Sequence, residues 1–215
     1  METVSVNIMD KPLNQNKPWR SQSDVSGEAA SNKPWRSQGD VSGEAALKKP
    51  ALFLDRDGVI NIEKNYLHKK EDFEFIDGIF DLCRYYKAKD YYIVVVTNQS
   101  GIARGYYTQM DFDNLTVWMI DAFGLKGVDI DRVYHCPHHP DISGECDCRK
   151  PRPGMLLKAA KDLNIDLQSS VLVGDSERDI EAAHRAGLKE TYLFTKDKQE
   201  TKASANIHNL RSLIC

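Results

Sequence analysis

The sequence predicts an α/β fold, a three-layer sandwich in which a central parallel sheet lies between two layers of helices. Strand-like and helix-like segments alternate from residue 50 onward, as they do in parallel sheets. Residues 92–96 form an unbroken β-branched run, which is typical of a strand that is buried on both faces. Polar residues follow the strands directly, at the edge where such sheets bind their ligands.

The strands are predicted from short apolar runs that are bounded by polar or turn-forming residues. The first is Ala51-Leu52-Phe53-Leu54, and the second is the β-branched run of residues 92–96. Residues 132–135 and 170–173 predict two more, and residues 191–194 predict the last clear strand. Because a helical pattern separates each predicted strand from the next, we expect the sheet to be parallel.

The helices are predicted from apolar residues that recur with helical spacing. Asp77 is the expected N-cap of the first helix, and the second is expected to end before Gly124. The third follows Pro153, and the fourth covers residues 176–186 and is closed by Gly187. The apolar faces of the first three helices are Ile79, Leu82, Cys83 and Tyr86, then Phe112, Leu115, Met119 and Phe123, then Leu156, Ala159, Ala160 and Leu163.

Residues 1–49 differ from the rest because they contain a repeated unit. Residues 16–30 recur as residues 32–46, and the two copies differ only at Ser23 and Gly39. Two copies are too few for a solenoid, and the polar unit cannot bury enough apolar surface to fold alone. We therefore expect a disordered tail or a Trp-Arg docking segment for a partner, followed by a folded domain over residues 50–215.

Charge and hydropathy exclude several classes of partner. The formal net charge of −3 indicates neither a nucleic-acid nor an anionic-membrane partner. No apolar stretch approaches the roughly 18 residues that a membrane span needs, and residues 1–10 lack the pattern of a secretory signal. A cytoplasmic location is therefore expected. ATP is not an expected ligand, because the chain has no Gly-x-x-x-x-Gly-Lys motif.

Asp55 and Asp57 are the most informative residues of the chain, because they follow the first strand two positions apart. While the backbone stays extended, both side chains point to the same side. Such a pair can bind a hard cation, attack an electrophile or transfer a proton. An Asp-Gly turn after a strand, without any chemistry, is the alternative.

Further polar residues are expected at the same edge of the sheet. Residues 97–100, Thr-Asn-Gln-Ser, follow the second strand, while Asp175 and Asp179 follow the fourth, and Lys150 precedes a helix. Asn98 and Gln99 could instead be turn formers without a role in the site, and Asp179 could instead cap or solvate a helix. Three carboxylates with one lysine nevertheless suit Mg²⁺, which prefers oxygen ligands.

The cysteines indicate a metal site. Three of the five lie within residues 136–148, and an odd number in a reducing compartment argues against a disulfide framework. Three thiolates and one imidazole form a closed tetrahedral set, so the zinc would be structural. Free surface thiols are the alternative. The predicted ligands are Cys136, His138, Cys146 and Cys148, with His135 and His139 as alternatives to His138.

In chain order, the motifs Asp-x-Asp-Gly from Asp55, Thr97-Asn98, Lys150-Pro151 and Gly-Asp-x-x-x-Asp from Gly174 resemble those of the haloacid dehalogenase-like phosphatases. The resemblance covers residues 50–195 and implies a Rossmann-like core. Residues 58–77 leave room for a short flap but not for a large cap domain. Within this superfamily, residues 53–58, 95–105, 136–140, 146–151 and 153–156 resemble the heptose bisphosphate phosphatases. The histidinol-phosphate phosphatases share much of the pattern and are the alternative.

The resemblance implies a role for each residue of the motifs. Asp55 would be the nucleophile that forms an aspartyl-phosphate, and Asp57 would protonate the leaving group and then accept a proton from water. Thr97 and Lys150 would hold the transferring phosphoryl group. The Mg²⁺ ligands would be Asp55, the backbone carbonyl of Asp57, and Asp175. One position departs from the family, which usually has Lys where this chain has Ser176.

The resemblance also implies the substrate, a small sugar bisphosphate from which the enzyme would remove the 7-phosphate. The product would serve the synthesis of nucleotide-activated heptose for surface polysaccharide, and the enzyme would be a monomer. The same fold could instead serve a zinc-stabilised binding module without activity or a nucleic-acid 3′-phosphatase. The implied substrate contacts are Glu63, Lys64, Asn65, Tyr66, Asn98, Gln99, Ser100 and Arg149, and a second phosphate would also engage Arg104.

Overall fold

The computed structural model describes residues 47–197 and 199–214. The repeat at residues 16–46 lies outside this part of the chain, so the disordered tail and the docking segment stay predictions. Within the described residues, no helix is both long and apolar enough to cross a membrane.

Six parallel strands form one sheet in the order β3-β2-β1-β4-β5-β6. The first strand lies between the second and the fourth, and its Phe53 is paired with Val94 on one side and Leu172 on the other. This register brings the ends of three strands to one edge. The strands are β1 (Ala51–Leu54), β2 (Tyr92–Asn98), β3 (Arg132–Cys136), β4 (Val171–Gly174), β5 (Glu190–Phe194) and β6 (Ala205–Ile207).

Helices cover both faces of the sheet, which confirms the predicted three-layer sandwich. Because side chains alternate along a strand, Leu52 packs with Leu82 and Met119 on one face, while Phe53 packs with Ile180 on the other. The helices are α1 (Ile79–Ala88), α2 (Gln109–Leu125), the short α3 (Pro140–Ser143), α4 (Gly154–Leu163) and α5 (Glu177–Ala186), with 3₁₀ turns at Lys70–Asp72, Leu167–Ser169 and Leu210–Leu213.

Two details of the elements were predicted wrongly, and one short strand was not predicted. Gly78 and not Asp77 occupies the N-cap of α1, and the Asp77 carboxylate instead accepts hydrogen bonds from Arg211. Helix α2 continues through Gly124 to Leu125, since a single glycine costs a helix only about 1 kcal/mol. Strand β6 follows the strand that was predicted to be the last, and its three residues are too few to show a periodic pattern.

Candidate active site

The loops at the carboxyl edge of the sheet enclose a cleft of about 530 Å³. Of the predicted cleft residues only Lys64 is missing from its lining, because its ammonium lies 3.5 Å from Glu74 instead. The predicted residues in the lining are Asp55, Asp57, Glu63, Asn65, Tyr66, Thr97, Asn98, Gln99, Ser100, Arg104, Arg149, Lys150, Asp175 and Asp179. Ser176, where the family usually has Lys, also lines the cleft. Four further lining residues were not assigned to the cleft from the sequence, namely Gly101, Tyr107, His139 and Arg178.

Lys150 joins the nucleophile candidate Asp55 to Asp179. The Lys150 ammonium is 3.0 Å from Asp55 Oδ1 and 2.6 Å from Asp179 Oδ1, and it also donates to the carbonyl of Val96 at 2.8 Å. Burial alone would lower the Lys150 pKa, but the carboxylates of Asp179 and Asp55 raise it, so the ammonium stays charged. A fixed positive charge therefore lies beside Asp55 at the bottom of the cleft.

The three carboxylates of Asp55, Asp175 and Asp179 carry more negative charge than this one lysine can balance. One oxygen from each lies within 4.8 Å of the others. Burial, to which the Asp179 carboxylate adds, raises the pKa of Asp175 to about 7. Burial also raises the pKa of Asp55, against the effect of Lys150. Such a cluster of oxygen ligands with unbalanced charge suits a divalent cation.

Gly58 allows Asp175 to reach this cluster. A Cβ at residue 58 would lie 2.1 Å from Asp175 Oδ2. Gly58 also has a φ of +86°, a backbone conformation that residues other than glycine rarely adopt. The glycine of the Asp-x-Asp-Gly motif is therefore required both by the turn and by the approach of the carboxylate.

Asp57 points into a separate hydrogen-bond network. Its Oδ1 accepts from Arg56 and from Asn61 Nδ2 at 3.0 Å, and its Oδ2 accepts from Gln99 Nε2 at 2.9 Å. The Arg56 side chain is only 2% exposed and also donates to the carbonyl of Leu67 at 3.0 Å. These donors hold the Asp57 carboxylate in one position, and the roles of Arg56 and Asn61 were not predicted from the sequence.

Gln99 and Asn98 line the cleft, and their side chains also form hydrogen bonds with other residues of the site. Gln99 Nε2 donates to Thr97 Oγ1 at 2.8 Å as well as to Asp57, and its Oε1 accepts from the hydroxyl of Tyr107. Asn98 accepts from the backbone N–H of Lys150 and donates to its carbonyl. Both side chains therefore position the residues that surround Asp55.

A flap formed by Glu63, Asn65 and Tyr66 lies beside the cleft. Glu63 Oε1 accepts from the backbone N–H of Asn65 at 2.6 Å, while Asn65 and Tyr66 have positive φ angles of 44° and 58°. The Tyr66 ring meets the edge of Tyr106, with 4.5 Å between the ring centroids. Burial and the negative charge of Asp57 raise the pKa of Glu63. The flap thus places one carboxylate and one aromatic ring at the cleft.

The four predicted zinc ligands lie together at the end of β3. His138 Nδ1 is 3.3 Å from the Cys148 sulfur and 3.6 Å from the Cys136 sulfur. The sulfur of Cys148 lies 3.0 Å from Cys136 and 3.4 Å from Cys146. Tetrahedral zinc would hold such donors about 3.5–3.8 Å apart, so the cluster fits the ion after small shifts.

The two alternative histidines have other partners. His135 packs against Phe112 and its Nε2 lies 3.0 Å from Gln109 Oε1, while burial lowers its pKa to about 4. His139 Nε2 lies 2.6 Å from the Arg104 guanidinium. The structure therefore brings His138 and neither of its neighbours to the three sulfur atoms.

Comparisons with known proteins agree on one superfamily. The HAD-hydrolase-like family model matches residues 147–210. A D-glycero-α-D-manno-heptose-1,7-bisphosphate 7-phosphatase of Campylobacter jejuni is 47% identical over 164 residues, which cover 76% of this chain and 93% of that enzyme. A D-glycero-β-D-manno-heptose-1,7-bisphosphate 7-phosphatase of Escherichia coli K12 is 48% identical over 162 residues, which cover 73% and 85% of the two chains.

A solved structure with a similar fold carries ligands. It is the D,D-heptose 1,7-bisphosphate phosphatase from B. bronchiseptica, complexed with magnesium and phosphate. The two chains are 29% identical with a TM-score of 0.68, and the match covers 77% of this chain and 96% of the other.

Proposed function

Because the chain belongs to the family of D-glycero-D-manno-heptose 1,7-bisphosphate 7-phosphatases, we propose that it removes the 7-phosphate of such a bisphosphate. The observation that carries the proposal is the position of Asp55 in the cleft, between the Lys150 ammonium and the Asp175 carboxylate. A nucleophile, a fixed cation and a cation site in one place are what phosphoryl transfer requires.

In the first step, an oxygen of Asp55 attacks the phosphorus atom, and the bond from phosphorus to the C7 oxygen breaks. The leaving alkoxide takes a proton from protonated Asp57. Lys150 and the hydroxyl of Thr97 stabilise the charge on the phosphoryl oxygens. The products are the heptose 1-phosphate and an aspartyl-phosphate on Asp55.

In the second step, water attacks the phosphorus atom of the aspartyl-phosphate. Asp57, now a carboxylate, takes a proton from this water, and the bond between phosphorus and the Asp55 oxygen breaks. Inorganic phosphate leaves and the Asp55 carboxylate is restored. The hydrogen bonds from Arg56, Asn61 and Gln99 support the role of Asp57 in both steps, because they hold its carboxyl group in one position.

Magnesium is the proposed catalytic ion, held by Asp55, Asp175 and the backbone carbonyl of Asp57. The excess of carboxylates over cations at this place supports it, as does the magnesium in the B. bronchiseptica enzyme. When bound, it would neutralise the repulsion between the phosphate and the Asp55 carboxylate.

Zinc is the proposed structural ion, held by Cys136, His138, Cys146 and Cys148. Four protein ligands leave no position for a catalytic water. The ion would fix the loop that leads directly into Arg149 and Lys150. The flap residues Glu63, Asn65 and Tyr66 and the side chains of Ser100 and Arg149 are the proposed substrate contacts, and a monomer in the cytoplasm remains the expected state.

The proposal is tested by phosphate release in the presence of Mg²⁺, with the wild type and the Asp55→Asn variant. The substrates are both anomers of heptose 1,7-bisphosphate, since relatives named for either anomer are equally similar to this chain, and histidinol phosphate. Release from a heptose bisphosphate that Asp55→Asn abolishes is expected. A preference for histidinol phosphate would overturn the substrate but keep the mechanism, and release that does not depend on Asp55 would overturn both.

A further inference from the structure

Four cationic side chains line the cleft, and three of them have partners. Lys150 is bound by Asp55 and Asp179, Arg104 lies against His139, and Arg149 donates to the carbonyl of His138. The fourth is Arg178, which is exposed and has no hydrogen bond or ion pair with any residue of the described part of the chain. Its guanidinium therefore keeps all of its donors for a ligand.

Arg178 belongs to the first turn of α5, where its neighbours are already engaged. Glu177 Oε2 accepts from the backbone N–H of Lys202 at 3.4 Å, and Glu177 does not line the cleft. The Ser176 hydroxyl donates to Asp179 Oδ2 at 2.7 Å, and Asp179 binds Lys150. Of residues 176–179, only Arg178 thus presents unused donors to the cleft.

The charge of the cleft explains why such a cation is needed. Five carboxylates line it, those of Asp55, Asp57, Glu63, Asp175 and Asp179. A phosphate group carries between one and two negative charges near neutral pH. The phosphate that reacts would meet Lys150 and the catalytic ion, but a second phosphate on the same sugar would enter an acidic cleft in which Arg104 and Arg149 already bind protein groups. A guanidinium binds a phosphate group through paired N–H donors.

We propose that Arg178 binds the phosphate that stays on the sugar, and that it thereby selects bisphosphates over monophosphates. The inference rests on the proposed function. Arg178 follows β4 and Arg104 follows β2, so cations approach the substrate from both sides of the central strand β1. Arg178 thus determines specificity, while the chemistry at Asp55 proceeds without it.

The test compares heptose 1,7-bisphosphate with heptose 7-phosphate, which lacks the second phosphate. For Arg178→Gln we expect the KM for the bisphosphate to rise about tenfold, because a charge-assisted hydrogen bond is lost. We expect kcat and the KM for the monophosphate to stay within about twofold. Arg178→Lys should be intermediate, since it keeps the charge but not the paired donors. The effect should shrink as salt is added, because the site is exposed.

Arg132→Gln is the matched control, because Arg132 is exposed at the start of β3, the end of that strand away from the cleft. It removes the same charge and should leave the KM for both substrates unchanged. An equal change for both substrates in Arg178→Gln, or no change for either, would overturn the inference, because Arg178 would then be an ordinary solvated side chain.

Direct binding separates this inference from the proposed function. The two sugars are titrated by calorimetry into Asp55→Asn, with Arg178 either present or replaced by Gln. A preference for the bisphosphate that disappears with Arg178 supports the inference even if the wild type releases no phosphate. If the wild type is active and the preference survives in Arg178→Gln, the proposed function stands and the inference fails.

Discussion

The side-chain amide of Asn98 holds the backbone of Lys150 at two points. Asn98 Oδ1 accepts from the Lys150 N–H, and Asn98 Nδ2 donates to the Lys150 carbonyl, each at 3.1 Å. The two residues are 52 positions apart in the chain. The end of β2 thereby fixes the residue whose ammonium lies 3.0 Å from Asp55, and it holds in place the segment that follows the cluster of three cysteines and His138.

Asn98→Ala is expected to lower kcat/KM about 10- to 100-fold. Lys150 would lose the contact that sets its position, and a displacement of about 1 Å in a catalytic group costs that much. Steady-state phosphate release measures the effect. Asn206→Ala is the control, since Asn206 lies on strand β6 at the edge of the sheet, and its side chain donates to the carbonyl of Gln199. Equal activity of the two variants would mean that the backbone of Lys150 is held without Asn98.

Gly58→Ala is expected to weaken Mg²⁺ binding and to lower phosphate release about 100-fold. The new methyl group would displace the Asp175 carboxylate, from which it would be only 2.1 Å away. Titration of the activity with Mg²⁺ measures this loss.

Gly127→Ala is the control that separates displacement of the Asp175 carboxylate from backbone strain. Gly127 has a similar φ of +75°, but a Cβ there meets nothing within 4 Å. Backbone strain should therefore cost both variants about 1 kcal/mol of stability, whereas Gly127→Ala should keep its activity and its Mg²⁺ affinity. A matching loss of Mg²⁺ affinity in both variants would rule out the close approach of Asp175 as the cause.

His138→Asn is expected to lose the bound zinc, while His135→Asn is expected to keep it. His138 Nδ1 faces the sulfur atoms of Cys136 and Cys148, but the His135 imidazole lies against Gln109. Plasma emission spectrometry of the purified proteins should find about one zinc per chain in the wild type and in His135→Asn.

Loss of zinc should also lower kcat/KM at least about tenfold, because the cluster is followed directly by Arg149 and Lys150. Wild type that has been stripped with a chelator and His138→Asn should show the same loss. Full activity in zinc-free protein would show that the loop holds its shape without the metal.

The metal-free protein is expected to lose stability as the pH rises, because Asp175 loses its proton in the folded state. The ordinary pKa of this carboxyl is 3.8, and burial raises it to about 7 in the folded protein. Between these values the native state binds a proton that the unfolded chain has released, so the free energy of unfolding falls with pH and levels off above about 7.

Asp175→Asn removes this contribution. In EDTA, its stability relative to the wild type should therefore be greater at pH 8 than at pH 5, by on the order of 2 kcal/mol. Urea unfolding at the two pH values measures the difference, and Mg²⁺ should stabilise the wild type more at pH 8. A difference that does not change with pH would contradict the raised pKa.

The elements were predictable where burial imposes a period on the sequence. The run Tyr92-Ile93-Val94-Val95-Val96 lies within β2, and helices cover both faces of the sheet there. Phe112, Leu115 and Met119 form one buried face of α2. Boundaries were less predictable, because a cap or a short edge strand depends on partners that are distant in the chain. The Asp77 carboxylate meets Arg211, which is 134 residues away.

The cleft was predictable because parallel strands bring their carboxyl ends to one edge. Residues that follow β1, β2 and β4 had to meet there, whatever their exact distances. The position of Lys64 beside Glu74, outside the cleft lining, was not predictable, because in the irregular flap no periodicity tells which side chains face the cleft. Spacing alone also left three histidines available for one metal position.

The sequence by itself thus determined the type of sheet, the carboxylates at its edge and the three cysteines of the candidate zinc cluster, because local patterns of burial and residue type encode these features. Only the tertiary structure decided which atoms pair. Two examples are the hydrogen bonds of Asn98 with Lys150 and those of Arg56 with Asp57. A third is the guanidinium of Arg178, which has no partner within the described part of the chain. All three depend on distances and directions between segments that the fold brings together. Such directions have no period along the chain, because they result from packing among residues that are far apart in sequence.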